Sequence, residues 1–199
     1  MLRLGVLGSG RGSNLGAILR AIGERSIPAR VSVVISDVPD SGILEIARSH
    51  GVDTECIVPP SPRGKLDGET ERKIVDALRA RDVDLVALAG FMRIVGSVLL
   101  SAYPRRIINI HPSLLPAHRG SRAWEKALAA GDKTTGCTVH YVDDGVDTGE
   151  IIEQCEVPVL AGDTADTLHA RIQKAEHELY PAVIGSLARR VQTVAPSGS

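Results

Sequence analysis

Aromatic residues are scarce in this chain. One Phe, one Trp and three Tyr make up 3% of it, too few for the stacked platforms that hold single-stranded nucleic acid. Cysteine is scarce too. Cys56, Cys137 and Cys155 are odd in number and lack Cys-x-x-Cys spacing, which argues against a disulfide framework and a structural zinc site. Each is expected as a small buried residue. Neither sign of charge dominates: the formal net charge is −1. Binding of nucleic acid by bulk electrostatics is therefore not expected, although a local basic patch can still hold a small anion. No apolar run is long enough to span a membrane. The N-terminus has no basic segment, long apolar segment and cleavage site in succession, so the expected compartment is the cytoplasm. The chain has no Gly-x-Ser-x-Gly elbow, no Gly-Lys-Ser/Thr phosphate loop and no His-Glu-x-x-His pair. His111, His118, His140, His169 and His177 form no compact ligand set, so no metal is expected.

What is present is an ordinary globular composition, 43% hydrophobic and 24% charged over 199 residues, enough to bury a core in one domain. Apolar runs at Leu2 to Leu7, Val31 to Ile35, Thr54 to Val58, Asp84 to Ala89 and Ile107 to Asn109 read as strands. Helical spacing falls between them, over Asn14 to Ile22, Gly42 to His50 and Glu69 to Arg81. Unbroken apolar strands alternating with helices predict an α/β fold. Its expected form is a Rossmann-like, open, mostly parallel sheet with helices on both faces. The pattern then changes. A helix is expected over Arg122 to Ala130. Thr135 to Val142 and Ile151 to Val157 read as strands of an antiparallel or mixed C-terminal part. A long helix is expected over Thr164 to Arg190, with a kink or break at Pro181. The expected organisation is a single domain over residues 1–190 with a flexible tail over 191–199.

Gly8-Ser9-Gly10-Arg11-Gly12-Ser13-Asn14 closes the first strand and opens the first helix. Glycines let backbone amides approach an anion, and a helix N-terminus adds partial positive charge. A phosphate site is the physical expectation, and a tight turn without ligand is the alternative. The dinucleotide fingerprint is incomplete, because Ser13 holds the place of its last glycine. Asp37 at the end of the second strand keeps a nicotinamide cofactor open.

Asn109 and His111 sit two apart at the end of an apolar run, so both point to one side of a strand. Pro112, Ser113 and Pro116 then stop regular structure. A fixed amide beside a titratable imidazole suits acyl transfer, in which one group polarises a carbonyl and the other moves a proton. The spacing equally fits a turn-capping Asn and a core His. Asp143-Asp144-Gly145-Val146-Asp147-Thr148-Gly149 fits a turn. In a functional reading, one of its aspartates orients His111 and raises its pKa. Gln173, Glu176 and His177 share one face of the last helix, ordinarily a solvated one.

Five segments occur in order: the glycine loop; Leu88-Ala89-Gly90-Phe91-Met92-Arg93-Ile94; Asn109-Ile110-His111-Pro112-Ser113-Leu114-Leu115-Pro116; Thr138-Val139-His140-Tyr141-Val142-Asp143; and Asp147-Thr148-Gly149. Together they resemble the glycinamide ribonucleotide formyltransferases of the folate-dependent formyltransferase family, from residue 2 to about 190. The resemblance implies transfer of a formyl group from 10-formyltetrahydrofolate, as co-substrate, to the amine of phosphoribosylglycinamide in de novo purine synthesis. It implies small-molecule partners only, with no metal, nucleic acid or membrane, and a monomer or homodimer. It places the catalytic trio on Asn109, His111 and Asp147, with His111 as an imidazolium kept charged by Asp147. The nucleotide would lie on Gly12, Ser13, Asn14, Gln173 and Glu176. The folate would lie on Met92, Arg93, Ile94 and Val95, on Asn109, and under a loop carrying Asp143, Asp144 and Asp147. Arg63 is the nearest match to a family arginine at the folate.

Where the family often has aromatic-Pro-Gly after Leu-Leu-Pro, this chain has Ala117-His118-Arg119-Gly120, similar to the Arg-Gly of methionyl-tRNA formyltransferases. The shape of that loop is left open. Three rivals stand beside the main reading. A methionyl-tRNA formyltransferase would carry a further RNA-binding domain. A formyltetrahydrofolate deformylase would carry an N-terminal regulatory domain, whereas here the first strand starts at Leu2. A non-catalytic nucleotide-binding protein would have no use for the trio.

Overall fold

The structure, a computed structural model, describes residues 1–194, with the backbone alone for 191–194. Its elements run β1 (Leu2–Leu7), α1 (Ser13–Gly23), β2 (Ala29–Ser36), α2 (Gly42–Ser49), β3 (Thr54–Cys56), α3 (Gly68–Arg79), β4 (Leu85–Leu88), α4 (Ser97–Ala102), β5 (Ile107–His111), α5 (Ala123–Ala130), β6 (Thr134–Tyr141), β7 (Ile151–Pro158) and α6 (Ala165–Val194). The strands form one sheet in the order β3-β2-β1-β4-β5-β6-β7. β1 pairs in parallel with β2 and β4, β2 with β3, and β4 with β5. β6 joins β5 antiparallel, and β7 joins β6 antiparallel. The expected architecture is the one observed.

Strand residues sort by their period of two. Leu4, Val6, Val34, Ala87, Ile108 and Ile110 pack with α1, α2 and α6 on one face. Leu7, Val33, Ile35, Val86, Leu88 and Ile107 pack with α3 and α4 on the other. Because both faces are covered, the parallel strands are continuous apolar runs rather than alternating ones. Tyr180 of α6, fully buried, donates its hydroxyl to Leu88 O (3.0 Å) and Ile108 O (3.2 Å). That bond pins the long helix to the carboxyl end of β4 and the amino end of β5.

Several expectations need correction. α4 gave no periodic signal, being only six residues long. It stands because buried Glu71 of α3 accepts from the amides of Gly96 and Val98 at its start. α6 runs unbroken through Pro181, held by buried Leu179, Tyr180, Val183 and Ile184 around it. The same helix takes in 191–194 of the expected tail, and the rest of that tail, 195–199, lies outside the described residues. Of the cysteines only Cys137 is buried; Cys155 is half-buried and Cys56 exposed. Among the described residues, no helix is long and apolar enough to cross a membrane.

Candidate active site

The strand order reverses between β1 and β4, and ligands of open α/β sheets bind in the crevice at such a point, beyond the strands' carboxyl ends. A cavity of about 590 Å³ lies there, in the size range of small-molecule sites. The loops after β1, β4 and β5 open into it, together with the β6–β7 loop and one face of α6.

The first wall is the glycine loop. Gly12 precedes α1 with φ of +81°, and a Cβ there would stand 2.7 Å from the Ile43 Cα. Only glycine suits both the left-handed backbone and the close approach. Asn14 Nδ2 donates to Glu176 Oε2 (3.0 Å), and Asn14 Oδ1 is buried with no partner. Glu176 is itself buried, and desolvation, only partly offset by Asn14, pushes its carboxyl up to about 7. The face shared by Gln173, Glu176 and His177, which spacing alone leaves as an ordinary solvated one, is not solvated throughout. α1 packs on that face, Gln173 and Glu176 line the cavity, and His177 turns away from it.

The second wall follows β4. Phe91, Met92, Ile94 and Val95 line the cavity. Met92 is 72% exposed and Ile94 38%. Val146 across the cavity is 46% exposed, so the mouth is an apolar slot open to solvent. Arg93 also lines the cavity, and its guanidinium is held by neighbours: its Nε donates to the Asp37 carboxylate and its Nη1 to Ser61 O. Asp37 also accepts from the Ser9 hydroxyl, and that hydroxyl accepts from Met92 N (2.9 Å). Both Asp37 oxygens are thus spent on tying the glycine loop to the β4 loop. This removes the nicotinamide option, because the acid that would hold a cofactor ribose is buried and fully bonded.

At the centre stand the residues of β5. Asn109 pairs with His140 across β5 and β6, and His111 with Thr138. His140 Nδ1 faces Tyr141 O (2.7 Å) and Nε2 faces Asn109 Nδ2 (3.2 Å). A carbonyl can only accept, so Nδ1 carries the proton, and Nε2 accepts one hydrogen of the Asn109 amide. The second Nδ2 hydrogen remains for another acceptor. His111 Nε2 donates to His118 O (3.1 Å), and its Nδ1 lies 3.3 Å from Asp147 Oδ2. Asp147 also accepts from Gly120 N (2.8 Å) and faces His140 Nε2 at 3.6 Å.

Burial lowers the His111 pKa below the ordinary histidine value, and Asp147 and the His118 carbonyl raise it only in part. Desolvation thus outweighs the facing carboxylate in setting the direction of the shift, although both ring nitrogens face acceptors, the His118 carbonyl and the Asp147 carboxylate. Burial also pushes Asp147 up. The adjoining His140, the charge of His111 and the Gly120 amide outweigh it, so Asp147 sits below the ordinary aspartate range. Strain gathers here: His118, Arg122 and Asp147 all have positive φ, 54°, 56° and 52°, a conformation costly for residues with a Cβ. The departure at Ala117-His118-Arg119-Gly120 now has a structural reading. It delivers a carbonyl to His111 and an amide to Asp147, and it is anchored by His118 Nε2 on Asp132 Oδ2 (2.6 Å) and by Lys126 Nζ on Arg119 O (2.6 Å).

Two proposed folate contacts are not brought to the cavity. Arg63 is exposed in the loop before α3, and Asp144 is exposed at the tip of its turn; neither lines it. Asp143 lines it while closing the turn, with Oδ1 accepting from Gly145 N (3.1 Å) and Thr148 Oγ1 (2.7 Å). Gly149 is required behind it, since a Cβ there would meet Tyr141 O at 1.8 Å. His140, Gly120, Trp124 and His169 also belong to the site. His140 and Gly120 lie in segments already singled out in the sequence, though without a role, and no local signal marks Trp124 or His169. Among the described residues, no three His, Cys, Asp or Glu side chains converge as ligands for a metal ion.

Known proteins are similar to this chain in sequence and fold. The family profile described as formyl transferase matches residues 2–184. The phosphoribosylglycinamide formyltransferase of Bacillus subtilis (strain 168) is 42% identical over 94% of this chain and 95% of that protein. The enzyme of the same name from Escherichia coli (strain K12) is 40% identical over 92% of this chain and 85% of that protein. The crystal structure of glycinamide ribonucleotide transformylase 1 from Symbiobacterium toebii superposes with a TM-score of 0.90 at 49% identity. It covers 96% of this chain and 89% of that one.

Proposed function

The chain belongs to the formyl transferase family, and from that premise we propose how it moves a formyl group from a 10-formyl folate donor to the amine of phosphoribosylglycinamide in purine biosynthesis. The observation that carries this reading is one cavity with two unlike ends. A glycine loop at a helix N-terminus, with an unpartnered buried Asn14 Oδ1, suits a phosphorylated sugar. An apolar slot of Phe91, Met92, Ile94 and Val146 suits a flat pterin. Asn109, His111 and Asp147 stand between them.

The phosphate is held by the amides of Gly12, Ser13 and Asn14. Asn14 Oδ1 and the Glu176 carboxyl take sugar hydroxyls, with Gln173 beside them. The pterin lies along the backbone of Met92 to Val95, under the loop of Asp143 to Asp147. The neutral amine attacks the formyl carbon and forms a tetrahedral oxyanion. The free Nδ2 hydrogen of Asn109, oriented by His140, donates to that oxygen. His111 starts neutral and takes up a proton as the negative charge develops. Asp147, fixed by Gly120, stabilises the imidazolium so formed. The amine proton passes through water to this pair, the imidazolium returns a proton to the folate nitrogen, and collapse expels that nitrogen as a neutral amine. Transfer is direct and needs no nucleophilic side chain. The enzyme works as a soluble cytoplasmic protein, as monomer or homodimer.

The test is a spectrophotometric assay of donor consumption with phosphoribosylglycinamide present and absent. Consumption only with the nucleotide is the expected result. Equal consumption without it would make the enzyme a deformylase. His111→Ala should abolish turnover while nucleotide binding persists; lost binding would make the residue structural.

A further inference from the structure

Trp124, in the first turn of α5, and His169 of α6 lie face to face in the cavity wall, their ring centroids 3.7 Å apart and their planes within 4° of parallel. We infer that His169, held flat by Trp124, is a specificity-determining residue whose ring edge donates to the phosphate of the nucleotide substrate. The inference rests on the nucleotide end of the cavity proposed above and adds a ligand to it.

Position comes first. His169, Gln173 and Glu176 recur at i, i+4 and i+7, one face of α6, and all three line the cavity. Glu176 meets the glycine loop through Asn14. His169 lies two turns away on the same strip, close enough to Arg11 of that loop to feel its charge. Hydrogen bonding comes second. The other two cavity histidines have both ring nitrogens engaged: His111 by His118 O and Asp147, His140 by Tyr141 O and Asn109. His169 makes no recorded hydrogen bond among the described residues, though its ring is fixed by the stack. Stacking occupies a face of the imidazole and leaves its in-plane nitrogens for a ligand. Electrostatics agree. Burial and Arg11 hold the imidazole below its ordinary pKa against Asp166. A phosphate dianion placed between Arg11 and His169 turns that repulsion into two attractions.

His169→Phe keeps an aromatic ring on Trp124 and removes the donor. We expect it to raise the KM for phosphoribosylglycinamide by about tenfold, the scale of one charge-assisted hydrogen bond. The KM of the formyl donor and kcat should stay near wild type. Trp124 is the only tryptophan in the chain, so its fluorescence follows a titration with inorganic phosphate, without turnover. That affinity should fall in His169→Phe and recover in His169→Gln, which restores an N–H donor. A His169→Phe protein that binds phosphate and nucleotide as wild type does would overturn the inference and leave the pair as packing alone. A wild-type protein that formylates nothing would instead count against the proposed reaction, and the phosphate titration would still decide the role of His169.

Discussion

Glu176→Gln separates the charge of this residue from its hydrogen bond. The Glu176 carboxyl is only 5% exposed and accepts from Asn14 Nδ2. A glutamine oxygen can accept that bond equally well, so the substitution removes ionisation and little else. Burial raises the carboxyl from an ordinary 4.5 to about 7. Because the folded pKa exceeds the unfolded one, the folded state binds more protons between these values. Stability must therefore fall as pH rises through that window. The difference corresponds to about 3 kcal/mol between the two protonation states. Below about pH 4.5 both folded and unfolded chains carry the proton and no penalty exists. Urea unfolding of both proteins from pH 5 to 8.5 measures it. The glutamine variant should exceed wild type by under about 1 kcal/mol at pH 5 and gain towards about 3 kcal/mol above pH 7.5. A difference that stays flat across the range would refute the reasoning, because it would mean that Glu176 is not desolvated in the folded protein. The same variant should bind the nucleotide more weakly above neutral pH, where a carboxylate accepts sugar hydroxyls more strongly than an amide does.

Asp147→Asn should lower turnover by about 10²- to 10⁴-fold. It removes the facing charge that raises His111, so the acidic limb of the pH–rate profile should move to lower pH; an unmoved limb would take away that role. Gly12→Val places a β-branched residue at φ of +81° against Ile43. It should cost about 1–3 kcal/mol of stability and weaken competition by inorganic phosphate, and normal phosphate inhibition would remove the glycine loop from the nucleotide site.

Local pattern carried much of the fold. The strands and helices around the glycine loop are legible because a buried parallel strand is an apolar run and an amphipathic helix repeats every three to four residues. α4 was not legible: six residues hold too little periodicity, and its start is satisfied by Glu71 of a different helix. The burial of Glu176 was not legible either. Spacing shows which residues share a face of α6, but only the packing of α1 decides whether that face meets water or a cavity.

The sequence by itself determined the open α/β architecture, the glycine loop between β1 and α1, and the residues Asn109, His111 and Asp147, which stand together in the cavity. These rest on short-range spacing and on ordered motifs, which survive without coordinates. Only the tertiary structure decided the chemistry of their surroundings. The β5–β6 register places His140 against Asn109 and fixes the direction of its amide. The loop of His118 to Gly120 supplies one carbonyl and one amide that no side-chain pattern announces. Desolvation, which depends on everything packed around a group, lowers the His111 pKa and raises that of Glu176 to about 7. A pKa belongs to an environment rather than to a residue, and the environment here is assembled from segments more than a hundred positions apart.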